Sequence, residues 1–346
     1  MSIIFWFIMI LAAWNARGRV KGIHEDYISL ERIQPIKGIF LLLVFVSHFV
    51  QYLGLEGVWH APYFAVKSWL GQLVVVPFLF YSGFGITESI RKKGLGYVKK
   101  MPTQRILKTL FQFDLAVVLF FICRLAMGKQ YDLKTVLLTF VGWAGIGNSN
   151  WYIFAILFLY AFTWLAYRIF SRNAYLPLVC TTALTVGFVL VMREHRDGYW
   201  YNTVMAYVAG MWFSQFKKPI DRILSNDIGF VAAAALVWGG LMFTHKYWWD
   251  NVWIYQATAI LFGLLIVLAT TKIQVTNRFL AYCGEHLFSL FILQRLPMLV
   301  LDNTILERKP YVYFAVCFVL TFILSKAFDA AAPWLWNKLT VRKAKA

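Results

Sequence analysis

Long apolar runs alternate with short polar segments over almost the entire chain. Runs of this length predict membrane-spanning helices, because about 20 apolar residues of helix cross the hydrocarbon core of a bilayer. Hydrophobic residues make up 60% of the chain and charged residues only 14%, far from the balance of a soluble domain. The pattern predicts an all-α, polytopic helical membrane protein. The predicted spans are residues 2–14, 36–54, 69–89, 109–127, 151–169, 175–192, 199–216, 228–244, 252–271, 279–300 and 311–335.

Two apolar segments fit a full crossing less well. Residues 2–14 are short for a span and precede several basic residues, so we interpret them as an N-terminal anchor helix. Residues 134–147 contain three glycines near their end and are interpreted as a short segment that does not cross. We therefore expect about ten core transmembrane helices plus one N-terminal helix. The expected organisation is an anchor helix and basic loop at 1–34, a membrane domain at 35–336 and a basic tail at 337–346.

The basic residues are distributed unevenly between the segments that connect the predicted spans. The chain has 34 lysines and arginines against 16 acidic residues, a net charge of +18. With alternating crossings, 23 of the 34 fall on one side, in residues 16–37, 90–108, 168–174, 217–227, 272–278 and 337–346. Cytoplasmic segments are enriched in lysine and arginine, so this side and the C-terminus are predicted to be cytoplasmic. The excess charge then indicates topology and contact with membrane lipids, and we expect no nucleic-acid partner.

The sequence shows no spacing of residues that is typical of a metal site or a disulfide framework. The four cysteines all lie inside predicted spans and are expected to pack as small hydrophobic residues: Cys123, Cys180, Cys283 and Cys317. We therefore predict no metal cofactor.

The second predicted span carries two ionisable residues, Lys37 and His48. Eleven residues of helix cover about 16 Å, so Lys37 can lie at one interface while His48 lies deep in the bilayer. An ionisable side chain at that depth is costly and commonly binds a ligand or handles protons. The alternative is a histidine that hydrogen-bonds to a neighbouring helix and a lysine that merely extends to the interface.

The next span and the basic loop after it add further candidates. Ser82 lies among Pro77, Gly83 and Gly85, a composition that also occurs in ordinary close packing of membrane helices. Arg105 and Lys108 are three residues apart at the start of a helix and share one face. They could bind the oxygens of a polyphosphate, or they could reflect topology and attraction to anionic lipids.

Five segments resemble, in the same order, the motifs of the membrane acyltransferase-3 family. The segment from Ile36 to His48 places a basic residue and a histidine with ten residues between them, as the opening helix of that family does. The other segments are Val76 to Phe84, which ends in Ser-Gly-Phe; Arg105 to Lys108, at the place of an Arg-x-x-Arg motif; Asn150 to Ile153, led by Trp151; and Gly284 to Pro297, with Ser289, Gln294 and Arg295. The resemblance covers about residues 35–335.

The resemblance implies a function and a set of site residues. Members of this family transfer an acyl group, usually acetyl from acetyl-CoA, to a hydroxyl group of a glycan or a lipid-linked sugar. The implied protein is a multi-pass O-acetyltransferase of the bacterial inner membrane, in the branch that modifies polysaccharides. His48 would then be the general base, since a sugar hydroxyl needs one at neutral pH. Lys37 would act beside it and would bind the phosphates of CoA together with Arg105 and Lys108.

In two places a lysine stands where the family pattern has an arginine. Lys37 replaces the commoner arginine, which removes bidentate recognition but keeps the charge, and Lys108 replaces the second arginine of the loop motif.

Three further residues are candidate substrate-binding residues: Ser82, Trp151 and Arg295. Trp151 could stack on a sugar ring, or could belong to the interfacial belt of tryptophans. Arg295 could face the acceptor, or could form a structural ion pair or extend to the interface.

A multi-span transporter or flippase for a lipid-linked sugar is the alternative function. It too would have about ten spans and charges within the membrane. It predicts internal repeats with paired broken helices, and the two halves of the sequence show no such duplication. A polysaccharide polymerase would call for a large basic outer loop, which the sequence lacks.

Overall fold

The computed structural model describes residues 1–55, 57–249 and 251–343, and these residues are mainly helical. The first eight helices are α1 Ser2–Ala13, α2 Leu30–Phe49, α3 Ala61–Leu70, α4 Val76–Lys93, α5 Leu95–Met101, α6 Lys108–Ala126, α7 Leu133–Phe140 and α8 Trp151–Ile169. The others are α9 Leu176–His195, α10 Met205–Gln215, α11 Lys217–Ser225, α12 Asp227–Tyr247, α13 Val252–Lys272, α14 Arg278–Glu285, α15 Leu287–Leu293, α16 Arg295–Val300 and α17 Pro310–Lys343. Two short strands, β1 Arg17–Gly18 and β2 Ile273–Gln274, pair antiparallel.

Eight helical stretches of the described residues are long and apolar enough to cross a membrane. They are Leu30–Tyr52, Val58–Lys93, Leu95–Ala126, Trp151–Ile169, Leu176–His195, Asp227–Tyr247, Val252–Lys272 and Pro310–Thr340. Large apolar side chains cover their outer surfaces: on α12, Ile228, Leu236 and Phe243 are 82%, 77% and 68% exposed. Such a surface suits lipid and not water. The prediction of an all-α polytopic membrane protein is confirmed.

Two of the predicted core spans are not single long helices. In the stretch predicted at 199–216, only Met205–Gln215 forms an α-helix, and it has eleven residues. The side chain of Gln256 holds the turns before it, since its Nε2 donates to the Tyr201 carbonyl at 2.6 Å and its Oε1 accepts from the Met205 amide at 3.1 Å. The stretch predicted at 279–300 is divided into α14, α15 and α16.

The second break in that divided span lies next to a proline. Pro297 has no N–H to donate to the carbonyl of Leu293, four residues earlier, and the helix breaks at Gln294 between them. The Gln294 side chain donates from Nε2 to the Phe291 carbonyl at 3.0 Å. The divided span is therefore held by side-chain hydrogen bonds as well as by its backbone.

A polar cluster holds the start of α15 against α17. The Ser289 Oγ lies 2.6 Å from the Ser325 Oγ and donates to Asp329 Oδ2 at 3.0 Å. The same carboxylate oxygen of Asp329 lies 2.5 Å from His286 Nδ1. Hydrogen bonds of this kind stabilise contacts between membrane helices.

Three other segments refine the predicted boundaries. Helix α1 has twelve residues, so it is about 18 Å long and shorter than the bilayer core. Helix α7 has eight residues, too few to cross, in agreement with the interpretation of residues 134–147. Helix α17 continues beyond the predicted span into the expected tail at 337–346, of which residues 344–346 lie outside the described residues.

Glycines allow two pairs of helices to approach until their backbones touch. A Cβ at Gly38 on α2 would lie 2.0 Å from the Leu280 carbonyl oxygen on α14, and one at Gly284 would lie 2.0 Å from the Gln34 carbonyl oxygen. Small residues are the usual means of such close packing in membranes.

The second close pair is formed by α4 and α10. A Cβ at Gly83 would lie 1.9 Å from the Tyr207 carbonyl oxygen, and one at Gly210 would lie 2.0 Å from the Phe80 carbonyl oxygen. These contacts fix the positions of α2 and α4, the two helices that carry Lys37 and Ser82.

Residues 15–29, which we call the strap, cross one end of the helix bundle. Strand β1 lies in the strap and pairs with β2, and Lys272 Nζ donates to the carbonyls of Val20 and Gly22 at 3.1 and 2.8 Å. The fully buried Tyr27 donates from its hydroxyl to Asp221 Oδ1 at 2.7 Å. Because Arg91, Lys92 and Lys217 lie at this end too, we call it the basic end.

We predict that Gly38→Ala destabilises the protein, because the new methyl group must push α14 away from α2. Overpacking of this kind costs about 1–3 kcal/mol. Thermal unfolding in detergent, followed by size-exclusion chromatography, should show a lower Tm. Gly187→Ala on α9 is the matched control, since nothing lies within 4 Å of its added Cβ. An unchanged Tm for Gly38→Ala would contradict the close contact.

We predict that the strap loosens in acid. A hydrogen bond from Arg32 lowers the pKa of Asp26. Carboxylates with lowered pKa stabilise the fold above their ordinary pKa of about 3.9, and the contribution disappears as pH falls through the lower folded-state values.

Hydrogen exchange, corrected for the intrinsic effect of pH, should therefore show protection lost first in residues 15–29 below about pH 4. The amides of Arg19 and His24, which donate to carbonyls of Lys272 and Thr271, are the reporters. Equal protection of these amides at neutral and acid pH would refute the expected loosening.

Candidate active site

A cavity of about 950 Å³ lies at the basic end, between the strap and seven helical segments: α2, α4, Pro102–Leu107, α6, α8, α11 and α15. Each segment contributes one face. Leu30, Ile33 and Lys37 line the cavity from α2, at a spacing that places them on the same side of the helix. The volume is typical of a site for a small molecule, since such sites measure about 300–1,000 Å³.

Lys37 lies on the cavity wall because of the packing of α2. Gly38 and Gly284 bring α2 and α14 into backbone contact, and Lys37 faces the cavity beside that contact. The side chain is half-buried. The Lys37 ammonium group therefore reaches the cavity from a helix whose position is fixed.

Arg105 and Lys108 reach the same cavity from the opposite wall. Arg105 lies in a wide, π-type helical segment, Pro102–Leu107, and Lys108 begins α6 directly after it. Such segments interrupt α-helices frequently at functional sites. The Arg105 Nε donates to the Tyr97 hydroxyl at 3.0 Å, which orients the guanidinium group.

Positive charge predominates on the wall of the cavity. Four cationic side chains on it have no carboxylate within 4.0 Å among residues 1–55, 57–249 and 251–343: Lys37, Lys92, Arg105 and Lys108. The wall also carries Glu25, Asp26 and Glu88. Asp26 forms a salt bridge with Arg32, at 2.6 Å. Glu88 forms one with Arg91. The remaining positive charge suits an anionic ligand.

Ser82 also lies on the cavity wall, and its partner is a tyrosine from a third helix. The Ser82 Oγ is 2.9 Å from the Tyr160 hydroxyl on α8, and either atom can donate. Tyr152 lines the cavity from the same helix. The structure thus brings Lys37, Ser82, Arg105 and Lys108 together, as candidates the sequence had placed on three separate segments.

His48 is not among the residues that line this cavity, but it lies close to one of them, Phe291. Phe291 lines the cavity, and the centroid of its ring is 6.3 Å from that of His48 and 5.4 Å from that of Tyr152. The His48 Nδ1 is buried and makes no hydrogen bond within the part of the chain that the structure describes. The side chain as a whole is only half-buried. His48 is therefore a neighbour of a residue of the cavity wall, but it does not line the cavity itself.

Arg295 does not line the cavity, and its partner is Tyr52, a residue that follows His48 in the chain. It begins α16, and its Nε donates to the Tyr52 hydroxyl at 3.3 Å. Tyr52 is four residues beyond His48. Arg295 is therefore placed towards the end of the bundle opposite the strap.

Trp151 does not line the cavity, although it begins the helix that carries Tyr152 and Tyr160. Its ring packs against Tyr152 and Tyr199, with centroid distances of 5.8 and 6.3 Å. The cavity-lining face of α8 is the one that carries Tyr152, Ile156 and Tyr160, at a spacing of four.

Several cavity residues were not found from the sequence. Tyr152 and Tyr160 are eight residues apart, a spacing that puts two hydroxyl groups on one face of an apolar helix and could have indicated them. Phe291 gave no comparable signal, because a phenylalanine in an apolar span is ordinary. The strap residues Glu25 and Asp26 reach the cavity only through tertiary pairing of β1 with β2.

The fold and the site define a helical integral membrane protein with a basic internal cavity. The model of the acyltransferase-3 family, an acyltransferase domain, matches residues 31–329, which is most of the chain. The chain belongs to this family and is a membrane acyltransferase, which confirms the resemblance read from the sequence. Comparison with curated proteins gave no match. Comparison with solved structures gave none either.

Proposed function

We propose that this membrane acyltransferase transfers an acyl group, acetyl first of all, from acyl-CoA to a hydroxyl group of a surface polysaccharide or a lipid-linked glycan. The observation that carries the proposal is that Lys37, Arg105 and Lys108 line one cavity. The wall of that cavity also includes Phe291, whose ring lies next to His48. Family membership supports the acyl transfer itself.

The donor binds from the basic end, which we assign to the cytoplasm of a bacterial inner membrane. Lys37, Arg105 and Lys108 hold the phosphates of CoA, because unpaired cations on a partly enclosed wall attract phosphate strongly. The apolar pantetheine arm extends along the apolar part of the cavity towards Phe291. Acetyl-CoA is a donor substrate in this scheme, and the transfer needs no metal.

His48 acts as the general base for the acceptor. It takes the proton of the acceptor hydroxyl while the hydroxyl oxygen attacks the thioester carbonyl. The carbon–sulfur bond then breaks, the acyl group stays on the acceptor oxygen, and the proton passes to the departing CoA thiolate. The Nδ1 of His48, buried without a hydrogen bond among the described residues, is available to such a partner.

Rotation of the Phe291 ring brings the thioester of the donor into reach of the His48 imidazole. The thioester reaches His48 when this ring moves aside, since Phe291 lines the cavity and its ring centroid is 6.3 Å from that of His48. Rotamer changes of single side chains cost little compared with backbone movement. In this scheme the ring also keeps water from the thioester until an acceptor is present.

The acceptor approaches from the opposite end. His48 is one residue from the end of α2 that is remote from the strap, and Arg295 with Tyr52 lies nearby. Arg295 and Trp151 are the residues that we expect to contact the glycan there. Ser82 instead faces the basic cavity and is expected to contact the donor.

We predict that His48→Ala lowers acyl transfer by about 10²–10⁴-fold, because it removes the general base. The measurement is release of the CoA thiol from acetyl-CoA by purified protein in lipid nanodiscs, supplied with an extract of envelope glycans. Labelled acetyl groups on the glycan confirm transfer. A flippase would move a glycan without consuming acetyl-CoA.

The control is His195→Ala, an exposed histidine at the end of α9, which should retain wild-type activity. Binding of acetyl-CoA by His48→Ala should be unchanged, which separates loss of chemistry from loss of fold. Full thiol release and glycan labelling by His48→Ala would disprove the assignment of the base.

A further inference from the structure

A second cavity, of about 390 Å³, adjoins the main cavity at the basic end. The two cavities share Gln104 and Arg105 as a common wall. The other side chains of the second cavity that bear on its chemistry are Lys93, Tyr97 and Lys100. A ligand in the main cavity can therefore extend past Arg105 into the second one.

The sequence places these residues on one side of a short helix. Lys93 ends α4, Gly94 has a φ of +61° that turns the chain, and Tyr97 and Lys100 follow on α5. Tyr97, Lys100 and Gln104 are spaced three and four residues apart, as on one helical face. The turn at Gly94 returns the chain so that Lys93 joins the same wall.

Tyr97 is held in a fixed position on this wall. Its hydroxyl accepts a hydrogen bond from Arg105 Nε at 3.0 Å, and Lys93 Nζ lies 5.9 Å from the centroid of its ring. The wall thus presents one anchored aromatic ring among cations.

Charge on this wall is of one sign. Its ionisable cations are Lys93, Lys100 and Arg105, and no carboxylate lines it within the described part of the chain. None of these three cations forms a salt bridge there within 4.0 Å. An aromatic ring with phosphate-binding cations is the combination that recognises a nucleotide, by stacking on the base and by neutralising phosphate.

We propose that the second cavity binds the phosphorylated adenosine end of the acyl-CoA donor. Tyr97 stacks on the adenine, and Lys93 and Lys100 hold the ribose phosphate. Arg105 lies between this end and the part of the donor in the main cavity. This assignment rests on the function proposed above, and it adds residues outside the Arg105–Lys108 motif to the donor site.

Truncated donors test the assignment. Tyr97→Ala should raise the KM for acetyl-CoA about tenfold, because stacking on the base is lost, and should leave kcat unchanged. The same variant should leave the KM for acetyl-pantetheine, which has no nucleotide, at the wild-type value. The double variant Lys93→Ala/Lys100→Ala should remove the preference for acetyl-CoA over acetyl-dephospho-CoA, which lacks the ribose phosphate.

Two variants serve as matched controls. Lys99→Ala removes a lysine of α5 that does not line the cavity, and its KM for each donor should equal that of the wild type. Tyr97→Phe keeps the ring and loses only the hydroxyl, so its KM for acetyl-CoA should stay closer to the wild-type value than that of Tyr97→Ala.

The possible results distinguish a failure of the nucleotide site from a failure of the proposed acyltransferase function. Equal changes in KM for acetyl-CoA and acetyl-pantetheine would overturn the nucleotide site while leaving the acyltransferase function intact. Turnover of neither donor by the wild type would overturn the proposed function, and binding of adenosine 3′,5′-bisphosphate, weakened by Tyr97→Ala, would then test the site directly.

The phosphate of an anionic lipid headgroup could bind the same lysines as the ribose phosphate of the donor. Each assay is therefore run in nanodiscs of neutral lipid and in nanodiscs of anionic lipid. Effects of Lys93→Ala/Lys100→Ala that occur only in anionic lipid would assign the cavity to a headgroup and overturn the nucleotide. Effects that persist in neutral lipid support it.

Discussion

Backbone contact between helices at four glycines is the constraint on which the rest of this structure depends. Gly38 and Gly284 join α2 to α14, and Gly83 and Gly210 join α4 to α10. In a bilayer the hydrophobic effect does not drive helices together, so close packing has to supply much of the association. Lys37 and Ser82 each immediately precede one of these glycines and lie on the cavity wall. The contacts that stabilise the bundle therefore also position the side chains of the site.

The charged side chains at the basic end are of two kinds, those that form a salt bridge and those that do not. Carboxylates at the basic end are mostly neutralised by arginine or lysine, as Asp26 is by Arg32. Lys37 and Lys108 on the cavity wall, in contrast, have no carboxylate partner among the described residues. Retaining unpaired cations at the edge of a membrane is costly unless water or an anion satisfies them. The distribution thus favours an anionic ligand over a purely structural role.

The sequence predicted the class of fold, and it singled out four residues that line the basic cavity, because both depend on local patterns: Lys37, Ser82, Arg105 and Lys108. Apolar runs gave most of the helices, and helical spacing placed Arg105 and Lys108 on one face. Features that depend on contacts between residues far apart in the chain could not be predicted from the sequence. Pairing of β1 with β2 brings the strap over the cavity, and the division of the span predicted at 279–300 depends on Pro297 and on hydrogen bonds to α17. The sequence indicated Trp151 as a candidate for contact with a sugar, whereas the residue of that helix turn that lines the cavity is Tyr152. No sequence pattern indicated that Phe291, and not His48, would line the cavity.

The central claim is that a CoA thioester enters from the basic end and presents its acyl group to His48. A structure determined by electron cryo-microscopy, with a hydrolysis-resistant acetyl-CoA analogue in a lipid nanodisc, tests it most directly. We predict phosphates in contact with Lys37, Arg105 and Lys108, a rotated Phe291 ring, and the acetyl group beside the imidazole of His48. An analogue bound at the opposite end, or one whose acetyl group points away from an unmoved Phe291, would contradict the claim.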